Sequence, residues 1–106
     1  MKLEVGMYVR TKNGEIHKIK SIDDNFLKYE NGFGVPLVLG GHIIKASHNI
    51  IDLIEVGDIV VLINGFCKEE LMLIRDLDIQ KSILDTHKII SIVTKEQFES
   101  MSYKVN

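Results

Sequence analysis

One twelve-residue segment of this sequence is written twice. Residues 3–14 (LEVGMYVRTKNG) return 51 positions later as residues 54–65 (IEVGDIVVLING); six of the twelve positions are identical and a seventh exchanges Leu for Ile. Self-similarity at a fixed spacing signals one supersecondary unit built twice, so every other element has to be placed around two copies of the same local geometry.

Each copy reads as a β-hairpin. The Val-Gly step is a turn that feeds a strand, with Gly6 or Gly57 supplying a backbone conformation that a side chain resists. The strand then runs to Asn13-Gly14 or Asn64-Gly65. Asn-Gly is the strongest short-range hairpin signal, because a type I′ turn requires positive φ at both central residues. Return strands follow over residues 15–22 in the first copy and 66–73 or 66–74 in the second.

The halves also finish alike. Ile43-Ile44 leads to Ser47-His48-Asn49-Ile50-Ile51, and Ile89-Ile90 leads to Thr94-Lys95-Glu96-Gln97-Phe98, so in each a strand gives way to a hydroxyl residue placed to cap a short helical turn. Thr94 with Gln97 three residues on fits a capping box, in which two side chains satisfy free N–H groups at a helix start. Residues 53–55 and 102–105 are then the closing strands. The expected fold is mainly β: two tandem or fused SH3-like small-barrel repeats, each with one short helical turn, spanning residues 1–53 and 54–106, with one intertwined barrel as the alternative. Residues 68–84 carry apolar Leu71, Leu73, Leu77, Ile79 and Ile83 at odd positions, the strand period, and are read as strands with a turn at 75–78 rather than as a helix.

Composition agrees with a mainly β chain. Ile, Val and Leu abound, Trp is absent, and four Phe and three Tyr complete a set suited to pleated surfaces. At 106 residues, 45% hydrophobic and 26% charged, the chain has the balance of one small soluble domain. The longest apolar run, Ile59–Ile63, is far short of the roughly 20 residues that span a bilayer. Met1-Lys2-Leu3-Glu4 also lacks a signal-peptide pattern, so a cytoplasmic protein with no membrane partner is expected. A formal net charge of −2 excludes bulk electrostatic attraction to nucleic acid, and any phosphate site has to be local.

Nothing in the chain has the spacing of a catalytic motif. It contains no Gly-Lys-Ser/Thr of a phosphate-binding loop and no Gly-x-Ser-x-Gly elbow. Cys67, the single cysteine, follows a hairpin turn beside Glu69 and Glu70, a setting that disfavours a reactive thiolate, and is read as a buried small hydrophobe. His17, His42, His48 and His87 are scattered without metal-ligand spacing, and Asp76, Asp78 and Asp85 lack the pattern of a calcium loop. The chain is accordingly read as no enzyme, with no catalytic residue, metal or cofactor.

Two regions suggest binding. The first hairpin holds Arg10, Lys12, His17, Lys18 and Lys20, whereas the second is nearly free of base apart from Lys68. Alternation places Tyr8, Arg10 and Lys12 on one side of the strand, opposite Met7, Val9 and Thr11. Arg10, Lys12 and Lys18 are therefore candidate phosphate contacts, with Tyr8 or Phe33 stacking on a base. The plainer reading is a solvated basic face that protects an edge strand from unwanted pairing. The second region, residues 31–41 (NGFGVPLVLGG), holds four of the eight glycines and the only proline, and the second half is shorter here. It reads both as a strand over 35–39 completing the first barrel and as an inserted apolar contact surface with Phe33.

Over residues 4–16 (EVGMYVRTKNGEI), 49–58 (NIIDLIEVGD) and 92–101 (IVTKEQFESM), the chain resembles small uncharacterised accessory proteins encoded in phages and prophages of low-GC Gram-positive bacteria. The resemblance covers most of the chain and carries no functional residue. What it implies is a viral protein made inside a bacterial host cell, where small phage proteins often act by binding. The leading expectation is a non-enzymatic protein that counters bacterial defence by sequestering a nucleotide signal or by occupying a host defence protein. A nucleic-acid-binding SH3-like module is the second. The third is a virion structural or assembly protein, whose signature is homo-oligomerisation through exposed strand edges.

Overall fold

A computed structural model describes residues 2–36 and 42–101 of the protein. The fold is mainly β, and the chain divides into two compact units, Met1–Leu53 and Ile54–Asn106.

The first unit contains β1 (Tyr8–Thr11), β2 (Ile16–Asp23), β3 (Phe26–Tyr29), β4 (Gly34–Pro36) and β5 (Ile43–Ser47), followed by a 3₁₀ turn at Ile50–Leu53. These strands make one antiparallel sheet in the order β4-β3-β2-β1-β5. Its core is Val9, Ile19, Leu27, Tyr29 and Ile43, with Leu3, Met7, Ile22, Val35 and Ala46 packed against it. Side-chain alternation puts odd-numbered residues of β1 and β3 on this face, and the pairing Ile19↔Tyr29 aligns β2 with them. Even-numbered Ile22 would then point away. A register shift between Ile19 and Ser21 corrects this and sets Ile22 opposite Leu27. Burying such an aliphatic side chain contributes about 1.5–3 kcal/mol, so the extra residue is favourable despite the broken ladder.

The second unit has β6 (Ile59–Ile63), β7 (Glu69–Leu73) and β8 (Lys88–Val93) in the antiparallel order β7-β6-β8, with α1 (Leu77–Thr86) between β7 and β8 and α2 (Lys95–Met101) after β8. Ile54, Val60, Leu62, Ile74 and Leu84 are its buried apolar residues. In each unit the first strand, β1 or β6, is flanked by its hairpin partner and by the unit's last strand. Where the first unit inserts the β3–β4 hairpin, the second inserts a helix.

Among the described residues neither sheet closes into a barrel, β4 and β5 ending one sheet and β7 and β8 the other. The closing strand expected at 53–55 is absent, because the 3₁₀ turn runs to Leu53 and the chain is irregular from there to Glu55. Residues 37–39 and 102–105, expected as strands, lie outside the described residues.

Residues 68–84 are not all strand. β7 ends at Leu73 and α1 follows, nucleated by local polar bonds. Asp76 is the N-cap, its carboxylate accepting from the Asp78 and Ile79 amides at 3.1 and 3.3 Å. Gln80 reaches back, accepting from the Arg75 and Asp76 amides and donating to the Leu73 carbonyl. The helix turns Leu77, Gln80 and Leu84 inward at helical spacing. Ile79 and Ile83, whose odd parity imitates a strand, fall on its exposed side.

The hairpin turns also differ from type I′. Each is a three-residue loop, closed by Thr11 N–H to the Glu15 carbonyl in the first copy and by Asn64 N–H to the Lys68 carbonyl in the second. Such a loop needs a left-handed residue at its third position. Gly14 supplies it at φ 82°, while in the second copy Cys67 takes it at φ 59°. Cys67 is therefore exposed in a turn and not a buried hydrophobe. Side-chain bonds set where each turn begins: Thr11 Oγ1 accepts from the Glu15 amide, and Asn64 Oδ1 accepts from the Phe66 and Lys68 amides. Asn64 thus opens its turn instead of occupying the centre.

The helical ends are local too. Thr94 and Gln97 bond reciprocally, Thr94 N–H to Gln97 Oε1 at 3.2 Å and Gln97 N–H to Thr94 Oγ1 at 3.3 Å, as a capping box requires. In the first unit Ser47 Oγ donates to Asp52 at 2.6 Å and accepts from the Asn49 amide, while Asn49 Oδ1 accepts from the Ile51 amide.

Candidate functional site

The first unit has a concavity of about 370 Å³ lined by Thr11, Glu15, His17, Tyr29, Asn31, Phe33, Gly34, Val35 and His42. Its position follows from the core pattern. Thr11, His17 and Tyr29 continue the odd-numbered core face of β1, β2 and β3 toward the hairpin end of the sheet, and polar side chains take over there from aliphatic ones.

His17 organises the site. Its ring stacks on Tyr29 with centroids 4.4 Å apart and planes 9° from parallel. Asn31 Oδ1 accepts from the Phe33 amide at 3.0 Å, which fixes the amide orientation because a backbone N–H can only donate. Asn31 Nδ2 therefore faces His17 Nδ1, 3.3 Å away, and donates to it. In the neutral ring that bond places the proton on Nε2, which lies 3.5 Å from Glu15 Oε2. The Asn31 bond and the stack on Tyr29 fix the ring, so His17 forms one wall of the site.

Of the two rings, Tyr29 is buried and Phe33 exposed. Tyr29 is only 3% exposed, and its hydroxyl has no hydrogen-bond partner among the described residues. Burial, and after it the negative charge of Glu15, raises its pKa above the usual tyrosine value, so the phenol stays protonated at neutral pH. Phe33 is 74% exposed, and its carbonyl accepts from the Tyr29 amide at 2.8 Å. The described lining includes a carboxylate and two imidazoles but no Lys or Arg, so it suits a neutral planar group better than a phosphate.

The five residues singled out from the sequence are distributed differently. Phe33 lines the concavity. Lys12 is exposed next to it, its amide donating to the carbonyl of the lining residue His42 at 2.9 Å. Tyr8 and Lys18 are directly paired across β1 and β2, with Lys18 Nζ 5.4 Å from the centre of the Tyr8 ring and 3.9 Å from Glu30. Alternation sets them on the other face of the sheet from His17. Arg10 is withdrawn from the surface altogether: it is fully buried, and Nη1 donates to the Leu53 carbonyl at 2.9 Å, holding the end of the 3₁₀ turn.

Glu15, His17, Tyr29 and Asn31 were not among those five. Parity marks the first two, since Val9, Thr11, Glu15 and His17 share odd numbering across the hairpin. Nothing local marks Tyr29 or Asn31, which arrive through the β2–β3 register. No family model matches the chain, and neither curated proteins nor solved structures include a significant match to it.

Proposed function

We propose that the protein is a non-enzymatic binding protein whose first unit holds the base of a nucleotide in this concavity. The carrying observation is Phe33, an exposed ring beside the His17–Tyr29 stack, a pairing suited to a flat heteroaromatic group. The volume is at the small end of the roughly 300–1,000 Å³ typical of ligand sites, enough for one nucleotide and not for an oligomer. Lys12, beside the lining, is the phosphate contact this reading favours. A phage-encoded protein of this kind would withdraw a nucleotide signal from bacterial defence in the host cytoplasm; that setting rests on the sequence resemblance alone.

Calorimetric titration with cyclic and linear nucleotides tests the reading. Binding is expected for the free protein and its loss in Phe33→Ala, with the circular dichroism spectrum unchanged. No heat with any nucleotide refutes it.

A second reading has its own observation. The Tyr8–Lys18 pair offers one aromatic face and one cation on the opposite side of the sheet, a minimal contact for single-stranded nucleic acid, and this reading takes the two units as SH3-like repeats. Binding that weakens steeply with salt and is lost in Tyr8→Ala is its expected signature.

A further inference from the structure

We infer that the outer face of the β7-β6-β8 sheet is a self-association surface, on which a second copy of the chain packs about a two-fold axis running along β6.

Strand register defines the face. Even-numbered Val60 and Leu62 of β6 are buried, so odd-numbered residues of this strand lie on the other side of the sheet. There Ile63 stands between Glu69 of β7 and Lys88 of β8, a register shift between Val61 and Leu62 bringing even-numbered Lys88 to that side. The next row sets Val61 between Leu71 and Ser91, and the last sets Ile59 between Leu73 and Val93. Leu71 is 76% and Leu73 44% exposed. Below its one charged row the face is therefore apolar apart from Ser91, and contiguous apolar surface of this kind marks an interaction site.

The charges identify the partner. Glu69 and Lys88 are exposed at opposite margins of the same row, and neither side chain has a charged partner among the described residues. A two-fold axis along β6 lays β7 of one copy over β8 of the other and keeps the rows in step. Each Glu69 then meets Lys88 of the second copy, across a sheet spacing of about 10 Å that the two long side chains span together. Leu71, the most exposed leucine of the face, falls over Ser91, its smallest side chain, and Leu73 falls over Val93. A two-fold axis across the strands would instead set Glu69 over Leu73 and Lys88 over Val93, burying both charges against apolar groups. The charged pair thus fixes the orientation, and the leucines supply the buried area. Three rows of three side chains fall short of a standard interface, so the dissociation constant expected is on the order of 100 µM.

Sedimentation velocity of the intact protein without nucleotide, from about 10 µM to about 1 mM, tests this. The average mass is expected to rise from 12.1 kDa toward twice that value. Leu71→Asp, a change at an exposed position, is expected to stay monomeric with an unchanged circular dichroism spectrum. Glu69→Lys and Lys88→Glu each bring like charges together and are expected to be monomeric alone. Mixed with each other they regain both ion pairs and are expected to dimerise as the native protein does. A native mass that stays at the monomer value up to about 1 mM overturns the inference, as does a dimer that survives Leu71→Asp. Dimerisation of either charge variant alone, or no recovery on mixing, overturns it equally.

Discussion

Replacing Asp58 by Ala is expected to destabilise the second unit by about 3 kcal/mol. Asp58 is fully buried just before β6, where it ties two segments together. Oδ2 accepts from the Glu55 amide at 2.7 Å, and Oδ1 accepts from the Lys95 amide, the first residue of α2, at 2.9 Å. Hydrogen bonds to a charged group contribute about 1.5–3 kcal/mol each, and a carboxylate at a helix N-terminus adds a favourable dipole interaction. Two such bonds give a range of roughly 3–6 kcal/mol. The lower end applies, because both amides belong to half-buried residues that water partly reaches and the Thr94–Gln97 capping box survives the substitution. Asp58→Asn keeps one acceptor oxygen and turns an NH₂ toward the other amide, so it should forfeit about half as much. Urea denaturation followed by circular dichroism measures the loss. Amide hydrogen exchange locates it, with Glu55 and Lys95 losing protection first. A change below about 0.5 kcal/mol in Asp58→Ala, the level of an ordinary surface substitution, would refute the bridging role.

Cys67→Gly should raise stability by about 0.5 kcal/mol, since relief of a left-handed side chain at φ 59° outweighs the greater entropy of glycine in the unfolded chain; Gly14→Ala should lower it by about 1 kcal/mol, and denaturant midpoints check both. Arg10→Met should cost about 2–3 kcal/mol by leaving the Leu53 carbonyl without its guanidinium donor while the apolar stem is still filled, and an unchanged midpoint in urea would contradict it. Tyr29 titrates above its unfolded value of about 10, so its contribution to stability is complete below that pH and is lost as pH rises through the higher folded value. Ultraviolet titration of tyrosinate should show a late component that disappears in Tyr29→Phe.

What the sequence determined by itself is the set of features closed within a few residues. The paired hairpins follow from turn signals, the positive φ of Gly6 and Gly57 from the absence of a side chain, and the Thr94–Gln97 box from a spacing of three. Local side-chain bonds were equally present in the letters but harder to rank. Asn64 as the opener of its turn and Asp76 with Gln80 as the start of α1 outcompete the Asn-Gly signal and the odd parity of Ile79 and Ile83. Tertiary structure decided the rest, because burial is a property of what comes to lie above a residue. Alternation put Arg10 beside Tyr8 on a basic face, yet the 3₁₀ turn ending at Leu53, 43 residues away, makes it a buried support. His17 stacks on Tyr29 and accepts from Asn31 because the β2–β3 register brings together residues 12 and 14 positions apart, and no spacing along the chain encodes that meeting.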